Sequence, residues 1–187
     1  MKTYYVDMDG VLADFENYIH THNIPYAPQN NRKPDDDKKM WDAIKKIPHF
    51  YDKLEPIPGS LEAFRELNKE NHCEILSAIP KPKWGLEHTE SDKRNWIKRH
   101  LGEDIKVNIV YREEKVNFCK GKDSILIDDL PKNIKEWEAA GGTGILFTNP
   151  EDMNIKSKTP VFDKIKRMRD QNVSDDTYKE VEEYVAT

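Results

Sequence analysis

A chain of 187 residues with 36% hydrophobic and 35% charged positions is long enough to bury one good core, with room for a small inserted subdomain. Its net charge of -5 argues against sequence-independent binding to nucleic acid polymers, which needs a basic surface. No apolar run reaches membrane-spanning length, and a strand starts too close to the N-terminus to leave room for a secretory or transit segment, so the expectation is a soluble, cytoplasmic protein.

The chain opens on Thr3-Tyr4-Tyr5-Val6, a β-prone run leading into Asp7-Met8-Asp9-Gly10-Val11. Residues two apart on a strand face the same side, so Asp7 and Asp9 reach one site past the strand's end. Buried charges there have to be paired or metal-bound. Val11, Leu12, Phe15 and Ile19 recur at helical spacing and predict a helix over 12–21. Residues 23–34 form a loop by composition. Pro34-Asp35-Asp36-Asp37 starts a second helix, with proline in its first turn and acids at the positive end of the dipole. Met40, Trp41, Ile44 and Ile47 make its apolar stripe. Leu54-Glu55-Pro56-Ile57-Pro58-Gly59 then reads as an extended return.

From Ser60 the rhythm is regular. Ser60 caps a helix with Leu61, Phe64 and Leu67 on one face. His72 to Leu76 is a second strand that ends at Ser77, followed by a proline-bearing loop over 78–88. A helix runs from about Ser91 through Trp96 and Ile97 to Leu101, stopped by Gly102. Val107 to Tyr111 is a third strand. Ser124-Ile125-Leu126-Ile127 is a fourth, apolar and therefore central, and it ends in Asp128-Asp129. Pro131 opens another helix with Ile134 and Trp137 inward, and Gly144 to Phe147 is a fifth strand. Phe162, Ile165 and Met168 predict a terminal helix that covers the core, a dimer contact being the alternative; Tyr178, Val181 and Val185 mark one more. The basic run at 164–169 reads as a solvated helix face. Cys73 and Cys119 have no zinc or redox spacing and read as reduced thiols.

Strands alternating with helices imply an α/β fold, a doubly wound parallel five-stranded sheet. Residues 14–58 break the alternation and are expected to form a small helical cap inserted after the first strand. The core would then comprise 1–13 and 59–187. Ligands of such a sheet bind beyond the carboxyl ends of its strands, where three apolar strands stop at Asp7, Ser77 and Asp128-Asp129. Converging carboxylates cannot all ionise without a counter-charge, and an all-oxygen set suits Mg²⁺.

The sequence DMDGVLADF, the lone Ser77 after strand two, a lysine ahead of the next helix and LIDD after strand four together resemble the haloacid dehalogenase superfamily of phosphotransferases. The more specific resemblance, which includes LEPIPG at the cap's return, is to the 5′(3′)-deoxyribonucleotidases. It implies a Mg²⁺-dependent phosphomonoester hydrolase acting on deoxyribonucleoside 5′-monophosphates, dUMP and dTMP in particular, through an aspartyl-phosphate. A general phosphatase for sugar phosphates or other small monoesters is the alternative.

On that resemblance Asp7 is the nucleophile and Asp9 the acid and base. The metal is held by Asp7, the Asp9 carbonyl and Asp129, with Asp128 in the outer coordination ring. Ser77 holds phosphate. Among Lys81, Lys83, Lys93, Lys115 and Lys122, the pattern Ser91-Asp92-Lys93-Arg94-Asn95-Trp96 selects Lys93 as the phosphate-binding cation, with Lys115 second. Phe15 and Trp41 are the expected base contacts, while Tyr18 reads as core. Two departures stand out: Ala78 occupies the place of a second hydroxyl, and Leu130 that of a basic residue.

Overall fold

The computed structural model describes residues 1–27 and 33–155. Five strands, β1 (Thr3–Val6), β2 (His72–Ala78), β3 (Val107–Val110), β4 (Ser124–Asp128) and β5 (Thr143–Leu146), form one sheet in the order β3-β2-β1-β4-β5. Every pairing is parallel. Five helices accompany them: α1 (Phe15–Thr21), α2 (Pro34–Ile44), α3 (Ser60–Glu70), α4 (Thr89–Leu101) and α5 (Pro131–Ala139). The strand order reverses on either side of β1, and such a switch point opens a crevice at the carboxyl edge. Val6 pairs with Ile75 on one side and Ile127 on the other, so Asp7, Ser77 and Asp128 leave the sheet almost level.

Strand alternation divides the core. Tyr4, Val6, Ile75, Ile125 and Ile127 face a cluster that takes in Phe64, Trp96 and Ile97. Tyr5, Leu76 and Leu126 face Ile134 and Trp137. Tyr5 meets the Trp137 ring edge-on at 5.5 Å, and the indole N–H donates to the Ser124 carbonyl at 3.0 Å. The buried Trp137 thus keeps its one polar atom satisfied.

Between β1 and α3 the chain builds α1, α2 and a 3-10 turn, Phe50–Lys53. Its limbs are tied where they begin and end: Asp14 N–H donates to the Glu55 carbonyl and Ile57 N–H to the Leu12 carbonyl, both at 2.8 Å. Ile19, Met40, Ile44 and Phe50 are buried in the same cluster as the sheet residues. The 3-10 turn and its flanks are further braced on one face of α4. Trp96 Nε1 donates to the Leu54 carbonyl, Arg99 to the Asp52 carboxylate, and His49 Nδ1 pairs with the buried Asp92 at 2.8 Å.

The first helix starts at Phe15 rather than at residue 12. Gly10, at φ 77°, and the carbonyl of Met8, which accepts from Val11, Leu12 and Ala13, wind residues 8–13 into a tight turn. Asp14 then caps α1 by accepting from Asn17 N–H. Helix α4 begins at Thr89, ahead of the expected Ser91. Among the described residues no helix is long and apolar enough to cross a membrane. The expected helices around Phe162, Ile165 and Met168 and around Tyr178, Val181 and Val185, the basic run 164–169, and part of the 23–34 loop lie outside the described residues.

Candidate active site

Asp7 continues β1 by one residue, its N–H donating to the Ile127 carbonyl at 2.9 Å. Its Oδ1 accepts from Met8 N–H at 2.8 Å, and Oδ2 lies 3.0 Å from Lys115 Nζ. Burial is the main reason its carboxyl is pushed up to about 7. Lys115 and Lys93 oppose that rise, while Asp128 and Asp9 add to it.

Asp9 stands at the turn. Its Oδ2 accepts from Lys93 Nζ at 2.5 Å, and its Oδ1 is buried without a hydrogen-bond partner among the described residues. Lys93 is fully enclosed: its ammonium donates also to Ser77 Oγ at 2.9 Å and to the Ala78 carbonyl at 2.6 Å. It is therefore a pillar under Asp9, and neither it nor Ser77 lines the cavity above. Lys115, on the 3-10 segment Arg112–Phe118, does line it. The Lys115 ammonium bridges Asp7 and Asp128, at 3.0 and 2.7 Å. Burial works to lower its pKa, but Asp128 and Asp7 outweigh that and raise it above the ordinary lysine value.

The two acids after β4 differ sharply. Asp128 is fully buried and its oxygens are engaged: Oδ2 accepts from Lys115 and Asn133, and Oδ1 accepts from Leu130 N–H. Asp129 is exposed and lies across Gly10, where a Cβ would come within 2.1 Å of Asp129 Oδ2. The cavity's low-dielectric walls, and after them the charges of Asp128 and Asp7, raise the Asp129 carboxyl well above its usual range.

Ligand atoms of Asp7, Asp128 and Asp129 all lie within 4.8 Å of one another. Four carboxylates here face two ammonium groups, so negative charge is left over. The donors are all oxygen, and one buried oxygen of Asp9 is orphaned. A hard divalent cation fits this set. The oxygens of Asp128 accept three hydrogen bonds and those of Asp7 meet Met8 N–H and Lys115, so the exposed Asp129 is the most open of the three donors.

Residues 14–58 supply the opposite wall. Phe15 and Trp41 both line the cavity, with Phe15 edge-on to Phe50 at 5.6 Å and Trp41 tilted against Trp84 at 6.3 Å. Tyr18 instead packs against Phe50 and His22. Tyr51, one of the aromatic residues of this segment, also lines the cavity, as do Arg112 and Asn133, which reasoning from sequence did not single out. For Arg112 a signal existed, since it follows β3 at the sheet's carboxyl edge. Asn133 offered none beyond its place in the first turn of α5.

A family described as 5′ nucleotidase, deoxy (Pyrimidine), cytosolic type C protein matches residues 2–168. The human 5′(3′)-deoxyribonucleotidase, cytosolic type, is 29% identical over 160 residues, covering 76% of this chain and 78% of that protein. The human mitochondrial 5′(3′)-deoxyribonucleotidase is 24% identical over 172 residues, covering 83% and 74%. A protein of Vibrio phage KVP40 is 32% identical over 130 residues, and this chain spans 66% of its length. Among solved structures, a phosphonoacetaldehyde hydrolase-like protein from Oleispira antarctica superposes with a TM-score of 0.52 at 13% identity, covering 98% of this chain and 85% of that one. That likeness speaks for the fold.

Proposed function

Because the chain belongs to the 5′ nucleotidase, deoxy (pyrimidine), cytosolic type C family of phosphatases, we propose that it hydrolyses deoxyribonucleoside 5′-monophosphates, dUMP and dTMP foremost, through an aspartyl-phosphate. Asp7 attacks phosphorus, forming the Oδ–P bond as the bond from phosphorus to the ester oxygen breaks. Asp9 gives its proton to the leaving oxygen, and the nucleoside departs as an alcohol. Asp9 then takes a proton from water, whose oxygen attacks phosphorus and frees Asp7 and inorganic phosphate. Lys93 holds Asp9 Oδ2 and so fixes the acid for that transfer.

Lys115 faces the cavity beside Asp7, so it, and not the enclosed Lys93, meets the phosphate in this reading. Lys93 and Ser77 act from beneath, by fixing Asp9. Asp7, Asp129 and the Asp9 carbonyl would hold Mg²⁺, with Asp128 outside them. The bound ion would offset phosphate charge so that an anionic nucleophile can approach. Residues 14–58 act as the cap, and Phe15 and Trp41 offer faces on which a base can stack.

The observation that carries this reading is the pairing of Asp7 with Lys115 and of Asp9 with Lys93 under one aromatic-walled cavity. Two neighbouring acids are thereby given different environments, as a nucleophile and a proton carrier require. Its test is phosphate release from a panel of deoxynucleotides, ribonucleotides and sugar phosphates, with Mg²⁺ and with chelator. The expected result is Mg²⁺-dependent turnover that favours dUMP and dTMP; equal rates across the panel would overturn the nucleotide assignment.

A further inference from the structure

Tyr51 reaches the cavity from the 3-10 turn Phe50–Lys53 and has no part in the steps above. Its ring is well accounted for. It is 3% exposed, edge-on to Phe50 at 5.0 Å and tilted on Phe15 at 6.4 Å. The Lys93 ammonium sits 4.5 Å from the ring centre, a cation–π contact to the group that holds Asp9.

The hydroxyl is not accounted for. No described residue hydrogen-bonds to it, and the buried side-chain atoms without partners are Asp9 Oδ1 and Ser60 Oγ. The Tyr51 oxygen is therefore not sealed into the core; it opens on the cavity that Tyr51 lines together with Asp7 and Asp9. A buried phenol ordinarily finds a partner, and phenylalanine here would keep every ring contact without a polar atom to satisfy. Burial first, and the charge of Asp9 second, raise the phenol well above its ordinary value. It stays a hydrogen-bond donor across the neutral range, beside the acid that protonates the leaving oxygen.

We propose that the Tyr51 hydroxyl donates a hydrogen bond to the 3′-oxygen of the sugar whose 5′-phosphate rests on Asp7. This rests on the nucleotidase reading above. Asp9 has to meet the 5′-oxygen, and along the sugar the 3′-hydroxyl is the next hydroxyl, separated from it by three carbons; the ring oxygen, two carbons away, is a weaker acceptor. A donor on the cap wall next to Asp9 reaches that oxygen before the 2′-position or the base. Phe15 and Trp41, also on the cap side, are left for the base. The preferred substrate is then a 5′-phosphate on a sugar with a free 3′-hydroxyl.

A substrate-and-enzyme cycle tests this, with wild type and Tyr51→Phe each assayed on dUMP and on 2′,3′-dideoxyuridine 5′-monophosphate, which differ only at the 3′-oxygen. Tyr51→Phe keeps the ring, so its thermal midpoint should equal or exceed that of wild type. The expected loss in kcat/KM on dUMP is about tenfold, and markedly less on the dideoxy substrate. Equal losses on both substrates, or none on dUMP, would overturn the contact and leave a hydroxyl that meets only water. If wild type turns over sugar phosphates or p-nitrophenyl phosphate but neither nucleotide, the nucleotidase reading itself fails and this assignment falls with it.

Discussion

Lys115→Met removes a cation that touches both Asp7 and Asp128. The lysine is 3% exposed, so solvent does little to replace it. Breaking a buried pair by removing one partner costs about 3–5 kcal/mol. Asp128 keeps its bonds from Asn133 and Leu130, and Asp7 keeps the Met8 N–H, which places the expected loss near the lower figure, about 3 kcal/mol. The loss should depend on pH with a definite sign. The Asp7 carboxyl stands at about 7 with Lys115 in place and would rise further without it. A folded value above the unfolded value of about 3.9 means that folding favours the protonated acid, so stability falls as pH climbs through that window. Urea unfolding with chelator present should therefore show the smaller deficit at about pH 5, where Asp7 is protonated in both folded proteins, and a deficit that grows as pH climbs through 7 and above. A deficit below about 1 kcal/mol, or one that does not change with pH, would show that Lys115 is solvated and the pairing wrong.

Gly10→Ala places a Cβ where Asp129 lies and forces a left-handed backbone on alanine. It should lower stability by at least about 1 kcal/mol and weaken Mg²⁺ binding in calorimetry without substrate; wild-type metal affinity would argue against Asp129 as a ligand. Trp41→Ala should raise KM for dUMP by about tenfold, with a much smaller change in inhibition by inorganic phosphate. Equal shifts in the two would place Trp41 outside the base contact.

The sheet and its acids were legible because two simple regularities coincide. Apolar strands end abruptly at Asp7, Ser77 and Asp128, and parallel sheets bind ligands at that edge. The observed register brings those three residues level. The ranking of the lysines was not legible. Lys115 sits on an irregular 3-10 segment without an apolar period to show which side faces inward, and only the fold bends it back to Asp7. Lys93 lies on a helix face that does read as buried, but sequence could not tell a cation that meets the cavity from one enclosed beneath Asp9. The contrast between an engaged Asp128 and an exposed Asp129 likewise depends on partners, Asn133 and Leu130, whose approach follows from the start of α5. Tyr51 was visible as an aromatic residue of the insertion, yet only its surroundings separate an explained ring from an unexplained hydroxyl. The insertion's shared burial with the sheet was hidden too, because helical periodicity shows an inner face without showing what it faces.

The most direct measurement compares phosphate release from dUMP, with saturating Mg²⁺, by wild type and by Asp7→Asn. Asparagine keeps the size of the side chain and an oxygen for the Met8 N–H but removes the charge that attacks phosphorus. If Asp7 is the nucleophile, the variant should lose about four orders of magnitude in kcat while remaining folded. Turnover by the variant at the wild-type rate would contradict the mechanism at its first step.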